Sequence, residues 1–139
     1  MANIKGGCLC GAVTYEISGD PMFVGHCACE DCQKATGTGH SSVAAFPETA
    51  LSVHGQPASY TGTGDSGQAT TRQFCGKCGS PLFTRPSVMP GAVIVSMGTM
   101  DADAALEPSM LIYNKRRRPW DHVPSGFAVF EGMPAGPPN

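Results

Sequence analysis

The sequence predicts a mainly β fold with little helix. Three observations carry that prediction: period-two alternation or β-branched enrichment recurs in six short runs, glycine and proline are abundant (eighteen and twelve of 139 residues), and helical patterning is confined to short pieces. The strand candidates are Ala12 to Ser18, Met22 to His26, Ser41 to Phe46, Ala50 to His54, Thr70 to Phe74 and Ala92 to Met97. Turn material bounds them, namely Gly19-Asp20-Pro21, Gly55-Gln56-Pro57, Gly62 to Gly67 and Pro90-Gly91, spaced like the connections of an antiparallel sheet. The one helix candidate is Glu30 to Ala35, which stops before Gly37, with a further turn over the Ala-rich Asp101 to Ala105.

Length and composition fit one domain over residues 1–132, followed by a Pro/Gly-rich tail over 133–139. Charged residues are 14% of the chain and hydrophobic ones 41%, which argues against wholesale disorder. No apolar run approaches the roughly 18 residues of a membrane span. Met1 to Gly7 has neither the basic region nor the apolar core of a signal peptide, so a cytoplasmic location is expected. Nine Lys and Arg against eleven Asp and Glu give a net charge of −2, and Lys115-Arg116-Arg117-Arg118 concentrates four of the nine basic residues.

The seven cysteines decide most. An odd number in such a chain fits poorly with a disulfide framework and well with thiolate metal ligands, zinc first among the metals. They read Cys8-x-Cys10, Cys27-x-Cys29-x-x-Cys32 and Cys75-x-x-Cys78, and spacings this short let one tight turn aim two sulfurs at one ion. Seven divides as four and three, for two ions per chain. Cys8, Cys10, Cys75 and Cys78 would close a structural zinc site that staples the N-terminal strand to a distant hairpin. Cys27, Cys29 and Cys32 would hold a second zinc and leave a position open for chemistry. One alternative closes the second site with His26, His40 or Asp31, although His26 beside Cys27 in a strand would point to the opposite face. Another oxidises Cys29 and Cys32 to a disulfide, against which stands the lack of a thioredoxin-like strand and long helix.

The chain resembles the family of glutathione-dependent formaldehyde-activating enzymes, the CENP-V/GFA domain family, over roughly Ile4 to Trp120. The matching residues are Gly6-Gly7-Cys8-Leu9-Cys10-Gly11-Ala12-Val13, His26-Cys27-Ala28-Cys29-Glu30-Asp31-Cys32-Gln33-Lys34, Arg72-Gln73-Phe74-Cys75-Gly76-Lys77-Cys78-Gly79-Ser80 and, more weakly, Gly98-Thr99-Met100-Asp101 and Pro119-Trp120. The resemblance implies a β-tent-like fold of antiparallel sheets clamped by zinc. It also implies a structural zinc on Cys8, Cys10, Cys75 and Cys78 and a catalytic one on Cys27, Cys29 and Cys32. The implied activity is that of a carbon–sulfur lyase or synthase acting on glutathione or a related thiol and formaldehyde or another small aldehyde.

A zinc with three thiolates is a mild Lewis acid that favours a soft fourth ligand, which a substrate thiol supplies. Around that site Lys34 is a candidate partner for a substrate carboxylate, Gln33 a candidate hydrogen-bonder, and His40 the nearest candidate general base. Arg72, three residues before Cys75, reads as a structural salt bridge or cap, and Phe74, Phe83 and Trp120 as core or pocket wall. The rival class is a non-catalytic zinc module that contacts nucleic acid or an acidic partner through Lys115 to Arg118. The net charge and the single short basic cluster argue against nucleic acid. Exposed sheet edges leave room for a homodimer.

Overall fold

Alternation of buried and exposed residues along Asn3–Gly7 and Thr14–Ser18 places Ile4, Tyr15 and Ile17 inward, and the chain pairs those runs accordingly. In a computed structural model, which describes residues 3–64 and 67–134, these are strands β1 and β2. The order continues with β3 (Phe23–Cys27), the helix α1 (Glu30–Thr36), β4 (Ser41–Pro47), β5 (Leu51–His54), β6 (Ala58–Thr63), β7 (Ala69–Phe74), β8 (Pro81–Pro86), β9 (Ala92–Ser96), β10 (Met110–Ile112) and β11 (Ala128–Val129). The structure is mainly β, with α1 the single α-helix among the described residues. Of the Pro/Gly-rich end, residues 135–139 lie outside the described residues, as do 65–66 within the expected turn Gly62 to Gly67.

The chain divides into two compact units, one of Met1–Phe23 with Ala44–Ala105, the other of Val24–Val43 with Leu106–Asn139. In the first unit β1, β2 and β5 form an antiparallel sheet with Ile4 opposite Ile17 and Tyr15 opposite Val53. A second ladder runs in the order β6, β7, β8, β9 and then the end of β4. Its antiparallel pairs include Thr61 with Thr71 and Phe83 with Val95. The core holds Tyr15, Ile17, Phe46, Leu82, Phe83, Val93 and Val95, all at most 2% exposed. Tyr15 meets Phe83 edge to face at 5.3 Å, and its hydroxyl bonds Thr99 Oγ1 at 2.8 Å. Arg85 pairs with Glu48 at 2.8 Å and bonds Gln73, which holds the Glu48 carboxyl below its usual range. Arg72 makes no ion pair among the described residues; it sits mid-strand in β7 between Tyr60 and Thr84.

In the second unit β10 lies between β3 and β11 and runs parallel to both, pairing Ile112 with Cys27 and Leu111 with Val129. The sheet is therefore mixed at this edge, where the sequence reads as antiparallel throughout. The helix forms where expected and extends to Thr36. Cys29 caps its start by accepting the Cys32 amide on Sγ at 3.3 Å, and Gly37 ends it at φ 76°, its amide bonded to the Gln33 carbonyl.

Gly6 faces the Tyr15 ring and the Thr99 carbonyl so closely that a Cβ there meets both. Gly6→Ala is expected to cost about 3 kcal/mol by overpacking a rigid site, read as a lowered midpoint in denaturant unfolding. An unchanged midpoint would show that this contact relaxes.

Candidate functional site

Two tight turns build the first thiol cluster. After β1 the chain folds back at Cys8 to Val13, where the Gly11 amide bonds the Cys8 carbonyl and Gly11 takes φ 82°. Between β7 and β8 the turn from Cys75 to Ser80 repeats the device, the Gly79 amide bonding the Cys75 carbonyl with φ 81° at Gly79. Amides are aimed at the sulfurs: Val13 N donates to Cys8 Sγ at 3.3 Å and Lys77 N to Cys75 Sγ at 3.4 Å. Ser80 ties the turns together, its hydroxyl accepting the Leu9 amide at 2.9 Å while lying 3.3 Å from Cys78 Sγ.

Cys8, Cys10, Cys75 and Cys78 thereby place all four sulfurs within 4.8 Å of one another. Cys8 to Cys10 measures 3.8 Å and Cys10 to Cys75 3.7 Å. A tetrahedral zinc with bonds of about 2.3 Å sets its sulfurs roughly 3.8 Å apart, so the donor set and its spacing both fit that ion. The Ser80 hydroxyl and amide pull the Cys78 thiol down to about 5. The Cys10 thiol rises to about 11, because burial and the neighbouring Cys75, Cys8 and Cys78 thiols outweigh the Ala12 amide. Crowded sulfurs of this kind resist losing their last protons until a dication replaces those protons.

The second cluster lies in the other unit. Cys27 ends β3, Cys29 caps α1 and Cys32 sits in its first turn, and their three sulfurs also lie within 4.8 Å of one another. Hydrogen bonding with Cys29 and Cys32, together with burial, pushes the Cys27 thiol far up. The Cys29 thiol rises to about 11, the neighbouring Cys32 and burial outweighing the lowering by Cys27. All seven cysteines are free of disulfides, Cys29 and Cys32 included. Among the described residues no histidine or carboxylate joins the three thiols within that distance. His40 instead bonds Asp121 through Nδ1 at 2.7 Å and stacks on His26 at 4.0 Å between ring centroids. His26 packs edge-on against Phe127, and burial lowers its imidazole to about 4.

The other predicted site residues sit beside α1. A cleft of about 560 Å³ is lined by Glu30, Gln33 and Lys34 of the helix, by Gly37 and Thr38 after it, and by Arg118 and Trp120. Gln33 is 7% exposed and its amide is committed within the protein: Nε2 donates to the carbonyls of Ala28 at 2.8 Å and Arg116 at 2.9 Å, while Oε1 accepts from Arg118 Nε at 2.6 Å. The arginines of the basic run also make contacts within the protein, although Arg116 and Arg118 remain exposed. Arg116 reaches Glu30 at 3.8 Å, and Arg117 donates to Asn114 Oδ1 and to the Asp121 carbonyl. Phe83 is core, whereas Trp120 is 62% exposed on the cleft wall. Sequence reasoning missed Asp121, and it read Arg118 only as part of the basic cluster; their partners His40 and Gln33 stand 81 and 85 positions away, and no local signal joins them.

The fold and the two cysteine clusters define a mainly β protein equipped to hold two metal ions. The family model described as glutathione-dependent formaldehyde-activating enzyme matches residues 3–116, and the chain belongs to that family. No curated protein matches the chain. Among solved structures, the chain is similar in fold to a Rhodobacter sphaeroides protein seen by crystallography, with 20% identity over 75% of this chain and 91% of that one and a TM-score of 0.57. Among the described residues no helix is long and apolar enough to cross a membrane.

Replacing a ligand in each cluster should separate their roles. If both clusters hold a metal, Cys75→Ala is expected to lose one ion per chain and much of the stability, since metal-binding energy in closed four-ligand sites is on the order of 10 kcal/mol. Cys29→Ala should lose the other ion with a smaller drop in melting temperature. Metal analysis with thermal melts checks both, and equal drops would argue that the second site is as structural as the first.

Proposed function

We propose that the protein is a zinc-dependent carbon–sulfur lyase or synthase acting on glutathione, or a related thiol, and formaldehyde or another small aldehyde. The observation that carries this reading is the inequality of the clusters: four thiols gather at one and three at the other, in a chain of the glutathione-dependent formaldehyde-activating family. Three protein ligands leave one tetrahedral position, and an all-sulfur set favours a further sulfur there. Zinc held by Cys27, Cys29 and Cys32 would supply a Lewis acid that keeps a substrate sulfur as its thiolate near neutral pH.

The chain's own residues provide the rest. Sulfur joins the carbonyl carbon, the carbon–oxygen π pair moves onto oxygen, and that oxygen takes up the proton the thiol has released, so thiol and aldehyde give an S-hydroxymethyl adduct and the reverse step regenerates them. Cys29 Sγ, accepting the Cys32 amide, stays oriented at the head of α1, and the buried Cys27 anchors the set to β3. Holding thiol and aldehyde together removes translational freedom from a bimolecular step, which is worth several kcal/mol of barrier. Lys34 offers a cation to a substrate carboxylate at the cleft, while Gln33 and His40 act by position, each fixing a second segment of the same unit. The contacts of Arg116, Arg117 and Arg118 within the protein give the nucleic-acid reading no comparable support.

Cobalt in place of zinc makes the reading visible. Glutathione added to the cobalt protein is expected to change the visible spectrum saturably, and the change should vanish in Cys29→Ala along with adduct formation from formaldehyde. An unchanged spectrum at two metals per chain, with no turnover, would mean a closed second site and would sink the assignment.

A further inference from the structure

Tyr113 is the single non-glycine residue with positive φ among the described residues, at φ 59° and ψ 39°. Glycine takes the other eight such positions. A turn alone is met at least cost by glycine, because a bulky L side chain is strained in this region. Here the strain is enforced from several sides. The amides of Tyr113, Asn114 and Lys115 donate to the carbonyls of Gly132, Phe130 and Glu131, and the Tyr113 carbonyl accepts the Arg116 amide at 3.0 Å. Strain that the surroundings enforce clusters at functional sites. The position of Tyr113 agrees with such a site. The parallel register sets Ile112 beside Cys27, and the Ile112 carbonyl accepts the Ala28 amide at 3.1 Å. The next residue, Tyr113, therefore stands alongside residues 27–29 of the three-thiol cluster. It is half-buried, with the Lys115 ammonium 6.0 Å from the centre of its ring.

Resting on the thiol–aldehyde reading above, we infer that the Tyr113 hydroxyl donates a hydrogen bond to the aldehyde oxygen during reaction at the three-thiol site. As the sulfur–carbon bond forms, the carbon–oxygen π pair moves onto oxygen, and a donor fixed beforehand stabilises the charge that develops there. The phenol keeps its proton. The oxygen takes up the proton that the thiol released, and nothing is oxidised or reduced. In the reverse step the same hydrogen bond holds the oxygen's charge until sulfur leaves. The left-handed backbone has a use in this scheme, since it breaks the alternation of β10 and turns the ring from the direction the strand would give it.

Tyr113→Phe keeps the ring and the backbone and removes only the hydroxyl. In the zinc protein it is expected to lower kcat for adduct formation from glutathione and formaldehyde by about 100-fold, with KM, zinc content and melting temperature unchanged. Thioacetate and ethanethiol test the contact without turnover, because both offer sulfur and only thioacetate carries an oxygen on the adjoining carbon. By calorimetry, Tyr113→Phe should bind thioacetate about tenfold more weakly and ethanethiol equally well. Tyr113→Gly should melt higher than Tyr113→Ala, since both lack the ring and only glycine relieves the strain. A glycine variant that melts no higher removes the strain and the inference with it. Full turnover of Tyr113→Phe, or unchanged thioacetate affinity, overturns the inference and leaves the thiol–aldehyde reading standing. Weakened thioacetate binding in a protein without turnover supports the contact and removes the reaction, whereas binding of neither sulfur ligand to the zinc protein means a closed site and removes both.

Discussion

Like charges at one point are the constraint on which the rest of this structure depends. Four sulfurs lie within 4.8 Å in one unit and three in the other, and at such distances their thiolates repel unless a cation sits among them. The chain prepares for that cation with amides aimed at Cys8, Cys29 and Cys75, each of which stabilises a thiolate and fixes its direction. A metal held there closes a long loop, since Cys10 and Cys75 stand 65 positions apart, and it turns the tips of two hairpins into one fastened corner.

The two units hold themselves together differently. The first buries Tyr15, Phe46, Phe83 and several branched aliphatics, so a metal there reinforces an existing core. The second buries little beyond Cys27, Ala28, Val43, Leu111 and Ile112, and apolar burial alone gives it limited order. Its order comes from polar contacts that reach far along the chain: Gln33 to Arg116 and Arg118, and His40 to Asp121, where Gly39 leaves room for the carboxylate. Such a network is stable only when each buried donor finds its acceptor, and Gln33 meets that demand completely.

The cysteine clusters and helix α1 were legible because spacing is a local signal: cysteines two or three residues apart announce a metal turn, and Gly37 announces the end of α1. Six strands were legible from their alternation. β8 was hidden because prolines open and close it, β1 because it ends in two glycines, and β10 because three residues carry no period. The parallel pairing of β10 with β3 and β11 was not legible either, since register between distant segments is decided by packing rather than by pattern. Among the site residues, the grouping of thiols could be read by counting, whereas the pairing of Gln33 with Arg118 follows only from the folded path of the chain.

Helix α1 stands where two features of the second unit meet. Cys29 and Cys32 give it one face and its capped start, and Gln33 and Lys34 give it another, so one short helix borders both a thiol cluster and a cleft. Because the cap itself is a thiol, a ligand that draws on Cys29 also acts on the first turn of the helix, and with it on Gln33 and the arginine it holds. A metal held by Cys29 would therefore act on the cleft through one short helix, in a direction that follows from the cap. A thiolate at Cys29 accepts the Cys32 amide more strongly than a thiol does, so a metal there would favour the capped helix that carries Gln33.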